Sequence, residues 1–74
     1  MELTIRLFAN FRDGRFTQAA REVAPGTTVG EIADSLHIAR DEVGVLFVNG
    51  RHAEFDLAPS AGDVVAIFPK VGGG

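Results

Sequence analysis

Side chains able to do chemistry are few in this sequence, and none is arranged to do it. The two histidines, His37 and His52, stand at ligand spacing neither from each other nor from a carboxylate pair, so both read as solvent-exposed imidazoles. Ser35 and Ser60 lack a nucleophile context such as G-x-S-x-G. Asp41-Glu42 reads as a solvated loop, and no metal site is expected. The 74 residues include no cysteine, which removes a thiolate nucleophile, a disulfide framework and a Cys-ligated metal. Gly72 to Gly74 is not a phosphate loop, because no Lys-Ser/Thr pair and no helix follow it.

What remains is the main-chain carboxylate of Gly74. Glycine has no Cβ and permits nearly any φ, so Gly73 and Gly74 can thread a channel too narrow for a side chain. The segment from Pro69 to Gly74 reaches roughly 20 Å when extended, at ~3.3 Å per residue. A rigid body carrying such a tail could deliver a carboxylate into another protein's active site. The alternative for these glycines is an inert, disordered end.

The elements that must hold this tail follow from the hydrophobic pattern. Leu3, Ile5 and Leu7 alternate with Glu2, Thr4 and Arg6, so Glu2 to Phe8 predicts a half-buried strand. Asp13-Gly14 is a turn signal, and Phe16 to Val23 predicts the return strand of an opening hairpin. Thr28-Val29-Gly30-Glu31 fits a capping box. Val29, Ile32, Ala33 and Leu36 then form one apolar stripe on a helix from about Val29 to His37. Ile38 to Gly44 reads as a connection. Val45 to Val48 is an apolar strand ended by Asn49-Gly50, a strong hairpin signal, with a short return near Arg51 to Phe55. Asp56 to Asp63 is irregular. Val64 to Phe68 is a second apolar strand, which Pro69 ends for want of an amide.

One helix can cover one face of a sheet this size, which makes the chain an α+β, two-layer domain. The element order suggests the β-grasp fold, a mixed four- to five-stranded sheet with one main helix. The domain is expected over residues 1–68, with 69–74 as the tail. If Val45, Phe47, Val65 and Ile67 face the helix, then Leu46, Val48, Val64, Ala66 and Phe68 face outward beside Phe8. That would be an exposed apolar patch, and such patches usually mark interfaces.

Composition narrows the partners. The net charge is −3 and the pI near 5.1, with seven basic residues scattered from Arg6 to Lys70, so no footprint for nucleic acid is expected. No stretch approaches the ~20 apolar residues of a membrane span. The first residues begin a strand pattern at once, so neither a signal peptide nor a membrane association is expected, and the default location is cytoplasmic.

The stretch Gly62-Asp63-Val64-Val65-Ala66-Ile67-Phe68-Pro69-Lys70-Val71-Gly72-Gly73-Gly74 resembles the end of the MoaD/ThiS ubiquitin-like sulfur carriers. There a Gly-Asp pair, an apolar strand, Pro-Pro-Val, a small residue and Gly-Gly close the chain. The opening Leu7-Phe8-Ala9-Asn10-Phe11-Arg12 is similar to the Phe-Ala-x-x-Arg opening of the molybdopterin synthase small subunit, which makes the MoaD type the better match. Val48-Asn49-Gly50 matches the family's hairpin. Lys70 departs from the pattern, standing where the molybdopterin type usually has a second, stiffening proline.

The resemblance implies a two-step chemistry without a cofactor bound to the chain. A ubiquitin-activating-enzyme-like (MoeB-like) partner would adenylate the Gly74 carboxylate with ATP, and sulfur would displace AMP to leave a thiocarboxylate. The molybdopterin synthase large subunit (MoaE-like) would then hold the tail beside a pterin precursor, for a molybdenum or tungsten dithiolene. On this reading the chain is a sulfur donor rather than an enzyme by itself. By position, Gly74 would bear the sulfur and Gly73 give clearance. Lys70 and Val71 would line the exit, with Pro69 and Gly72 on either side, and Phe8 and Phe68 would belong to the docking face. Three alternatives stay open: a carrier for thiamine or a sulfur amino acid, a ubiquitin-like modifier joined to lysines, and a plain interaction domain.

Overall fold

The computed structural model describes residues 1–70. Five strands and one α-helix appear in the order β1 (Glu2–Leu7), β2 (Gln18–Glu22), α1 (Val29–Ser35), β3 (Val43–Val48), β4 (Arg51–Ala53) and β5 (Val64–Pro69). The strands form one mixed sheet in the order β2-β1-β5-β3-β4. β5 is central, parallel to β1 and antiparallel to β3, and both outer pairs are antiparallel hairpins. This is the β-grasp arrangement that the element order predicts.

The helix begins where the capping box places it. The Thr28 hydroxyl accepts from the Glu31 amide at 3.2 Å, and the Glu31 carboxylate accepts from the Thr28 amide at 2.9 Å. The amides of Val29 and Gly30 donate to the carbonyls of Leu57 and Phe55, which ties the first turn to the loop after β4. The helix stops two residues short of the predicted end, because His37 turns left-handed at φ 59°. Arg15 covers this end, its guanidinium donating to the Leu36 and His37 carbonyls. Such a cation beside terminal carbonyls is favourable for their orphaned acceptors and for the helix dipole.

The core lies between α1 and one sheet face. Val29, Ile32 and Ala33 pack with Leu3, Ile5, Leu7, Leu46, Val48, Val65 and Ile67, all buried. β3 therefore has the opposite phase to the one expected. Leu46 and Val48 point inward, opposite Ile67 and Val65, while Val45 and Phe47 point outward, opposite Phe68 and Ala66. Cross-strand partners share a face, so the register with β5 sets the phase that four consecutive apolar residues leave undefined.

β3 also starts earlier than the pattern suggested. A bulge at Gly44 adds one residue between Val43 and Val45, whose partners Pro69 and Phe68 are adjacent. Val43 can thereby join the core while Val45 lies on the outer face. Two short 3-10 helices, Ala9–Arg12 and Arg40–Glu42, lie where the pattern assigned no helix or strand, and the first buries Phe11.

Candidate functional site: an aromatic face at the root of the tail

The Phe-Ala-x-x-Arg opening has a local physical reason. Phe8 continues β1 in an extended conformation, and Ala9 then turns left-handed at φ 50° to start the 3-10 helix. Arg12 closes that turn by donating from Nε to the Leu7 carbonyl at 2.9 Å. The result holds Phe8 on the outer sheet face at the end of β1, level with the last residues of β5 that pair beside it.

There Phe8 stacks on Phe68, with ring centroids 3.9 Å apart and planes 9° from parallel. Phe47 meets Phe68 edge-on at 5.7 Å, and His52 meets Phe47 edge-on at 6.3 Å. Edge-to-face pairs of this kind add stability beyond the area they bury, and the Phe8–Phe68 stack is closer than they are. The guanidinium carbons of Arg6 and Arg12 lie 5.3 and 5.4 Å from the Phe8 ring centre, within cation–π range. The outer face is thus a row of rings running from β1 through β5 and β3 to β4, with two exposed arginines at its β1 end.

The expected patch is present, with two differences. Val45 and Phe47 belong to it and Leu46 and Val48 do not, for the register reason above. Its members also shield one another and are half-buried, so that Leu57, on the loop after β4, is the one exposed large hydrophobic residue among the described residues. Phe47 was expected to face the helix, His52 was read only as a solvent-exposed imidazole, and Arg6 was not singled out from sequence. Arg6 could have been, since it shares the outward phase of β1 with Glu2 and Thr4 and lies two residues before Phe8.

The tail leaves from the edge of this face. β5 runs through Pro69, and the Lys70 amide makes the last described bond of the ladder, donating to the Glu42 carbonyl at 3.0 Å. Where the molybdopterin type stiffens the exit with a second proline, this chain uses a hydrogen bond that a proline could not make. Lys70 is the only lysine beside six arginines, and it is exposed. Phe8, Phe68, Pro69 and Lys70 are thus brought together. Val71, Gly72, Gly73 and Gly74 lie outside the described residues.

At the opposite end of β5 the chain is pinned by polar contacts. Asn49, at φ 53° in the turn before β4, donates to Asp63 at 2.9 Å and accepts from the Val64 amide at 2.9 Å. The Ser60 amide donates to Asp63 at 2.8 Å, and this bond, with that from Asn49, holds the Asp63 carboxyl below the usual carboxylate range. Asp34 is likewise lowered, by its bidentate hydrogen bonds from Arg40. Neither carboxylate faces the aromatic row, and no group of three or more potential metal ligands occurs among the described residues. No helix there is long and apolar enough to cross a membrane.

The profile of the ThiS family matches residues 5–74. The chain belongs to the ThiS family. Among solved structures it is similar to the HVO 2177 protein of Haloferax volcanii, at 31% identity and TM-score 0.81, covering 100% of this chain and 87% of the other. It is also similar to SAMP1, small archaeal modifier protein 1, of the same organism, at 26% identity and TM-score 0.77 with both chains fully covered. A putative molybdopterin converting factor, subunit 1, from Pyrococcus furiosus matches at 25% identity and TM-score 0.76, over 96% of this chain and 99% of the other. A comparison with curated proteins returns no significant match. As a ThiS-family member with a mixed five-stranded sheet and one helix, the chain is a MoaD/ThiS-type, ubiquitin-like β-grasp protein.

Proposed function

We propose that this chain is a sulfur carrier of the MoaD type, working through the carboxylate of Gly74. The observation that carries the reading is the placement of the stacked Phe8–Phe68 pair at the exit of a chain ending in Gly-Gly. An apolar, aromatic surface suits a partner interface, since aromatic residues with arginine are enriched in interface cores. The tail leaves beside it, so docking would set where the carboxylate can reach.

The chemistry follows from the weakness of a carboxylate as an electrophile. An adenylating partner, MoeB-like, would consume ATP. A Gly74 oxygen would attack the α-phosphorus and pyrophosphate would leave. A sulfur nucleophile would then attack the acyl carbon and expel AMP, leaving a thiocarboxylate. This sulfur needs no cysteine, in keeping with a chain that has none. The chain would hold no cofactor itself. Gly73 and Gly72 would give clearance, Val71, Lys70 and Pro69 would form the exit, and Phe8 and Phe68 the docking face.

The likeness to a molybdopterin converting factor subunit 1 favours a MoaE-like molybdopterin synthase large subunit as the acceptor, with molybdenum or tungsten pterin as the product. In such an assembly the chain would act as a donor subunit, consumed and recharged, in the cytoplasm. A second reading, a protein modifier joined through Gly74 to lysines, is favoured by the likeness to SAMP1 and shares the activation step.

Intact-mass measurement of protein isolated from its own cells tests the shared chemistry. Thiocarboxylation adds about 16 Da, much as oxidation of Met1 would, so the gain must map to Gly74 and be lost on hydrolysis. Protein that carries neither this gain nor isopeptide adducts under any growth condition would rule out both forms of the proposal.

A further inference from the structure

We propose that Gly44 is a positioning residue for the tail, setting the point from which the Gly74 carboxylate is delivered; the inference rests on the carrier reading. Gly44 is the bulge residue of β3, and its φ is not in the left-handed region that favours glycine. Its need is for space. A Cβ built there would lie 2.6 Å from the Pro69 carbonyl oxygen and 2.9 Å from both the Pro69 carbonyl carbon and the Lys70 Cα. All three are backbone atoms, so no side chain can swing aside to relieve the clash.

The bare Cα lets the Pro69–Lys70 peptide lie directly against β3. It also allows the Lys70 amide to reach the Glu42 carbonyl. The exit is thereby held at Lys70, and the four residues beyond it span at most ~14 Å, at ~3.3–3.6 Å each. Displaced from Gly44, the chain would be held last where Phe68 pairs with Val45. Two more residues would come free, roughly 7 Å of added reach. Reacting groups depend steeply on such placement, and small displacements far from the chemistry can cost orders of magnitude in rate. Gly44 lies off the aromatic row, so docking and delivery separate into different residues.

The test is ATP–pyrophosphate exchange by the adenylating enzyme of the same genome, measured against carrier concentration. Gly44→Ala is expected to lower kcat about tenfold while KM stays within about twofold, because the Phe8–Phe68 face is intact. Ile32→Val, a trimming of the helix core remote from the exit, is the control for lost stability and is expected to leave both constants within about twofold. A second variant keeps Gly44 and inserts two glycines between Lys70 and Val71, lengthening the tail without any clash. It too is expected to lower kcat with KM unchanged. Wild-type kinetics for this insertion, or for a folded Gly44→Ala, would overturn the inference and leave the carrier reading standing. A kcat loss in Ile32→Val equal to that in Gly44→Ala would also overturn it. A wild-type chain that supports no exchange would overturn the carrier reading, and the inference with it.

Discussion

Thr28 and Asp63 do similar work, each satisfying a backbone amide three residues away that water would otherwise have to reach. Thr28→Ala removes one partner of the capping box, and is expected to cost about 1 kcal/mol in urea unfolding, within the range of such caps. Asp63 adds a pH dependence. Its folded-state carboxyl is lowered below its unfolded value, so the native state binds fewer protons than the unfolded one in acid. Its contribution is therefore present above the ordinary carboxylate range and lost as pH falls below about 4. Asp34, lowered by Arg40, acts with the same sign. A melting series down the acid limb is expected to show the loss, and Asp63→Asn to show a shallower one. The capping box was legible in four letters, because its partners are three residues apart. Asp63 was not, because Asn49 is distant in sequence and meets it only through the folded hairpin, although Ser60 lies three residues before it.

Neighbouring residues on β5 are set for opposite outcomes. Ile67 is fully buried against the helix, and Ile67→Ala is expected to cost about 2–5 kcal/mol, a large share of the stability of a small domain. Phe68 faces outward, and its truncation loses mainly the stacking on Phe8 and the edge contact with Phe47, about 1 kcal/mol each. On the carrier reading, Phe68→Ala should stay folded in a thermal melt while its KM for the adenylating partner rises at least tenfold. β1 announced its phase through strict alternation, and the hairpin at Asn49-Gly50 through its turn. β3 could not, since Val45 to Val48 are apolar on both faces. Gly44, which shifts the phase between Val43 and Val45, is read as a bulge only once β5 lies beside it. The same limit explains why the outward apolar patch was expected with Leu46 and Val48 in place of Val45 and Phe47.

At the scale of the molecule, the carrier reading makes the described domain a mount for a main-chain terminus. The element order and the Gly-Gly end were readable because both are local in sequence. The root of the tail was not, since its hydrogen bond joins Lys70 to Glu42 across two strands. Deletion of Gly73 and Gly74 is expected to leave the melting temperature unchanged, as the buried core among the described residues runs from Leu3 to Ile67, and to abolish ATP–pyrophosphate exchange. Retained exchange by the truncated chain would show that the carboxylate is not the working group.

The two amines of the chain are not equally available. The Met1 ammonium donates to the Val23 carbonyl at 2.7 Å and pairs with Glu22 at 3.3 Å, whereas the Lys70 side chain is exposed. Limiting doses of an acylating dye should therefore mark position 70 first, read by peptide mapping. A fluorophore placed there needs no engineered cysteine, and it would sit beside the aromatic row, where its emission could report each encounter with a partner in real time.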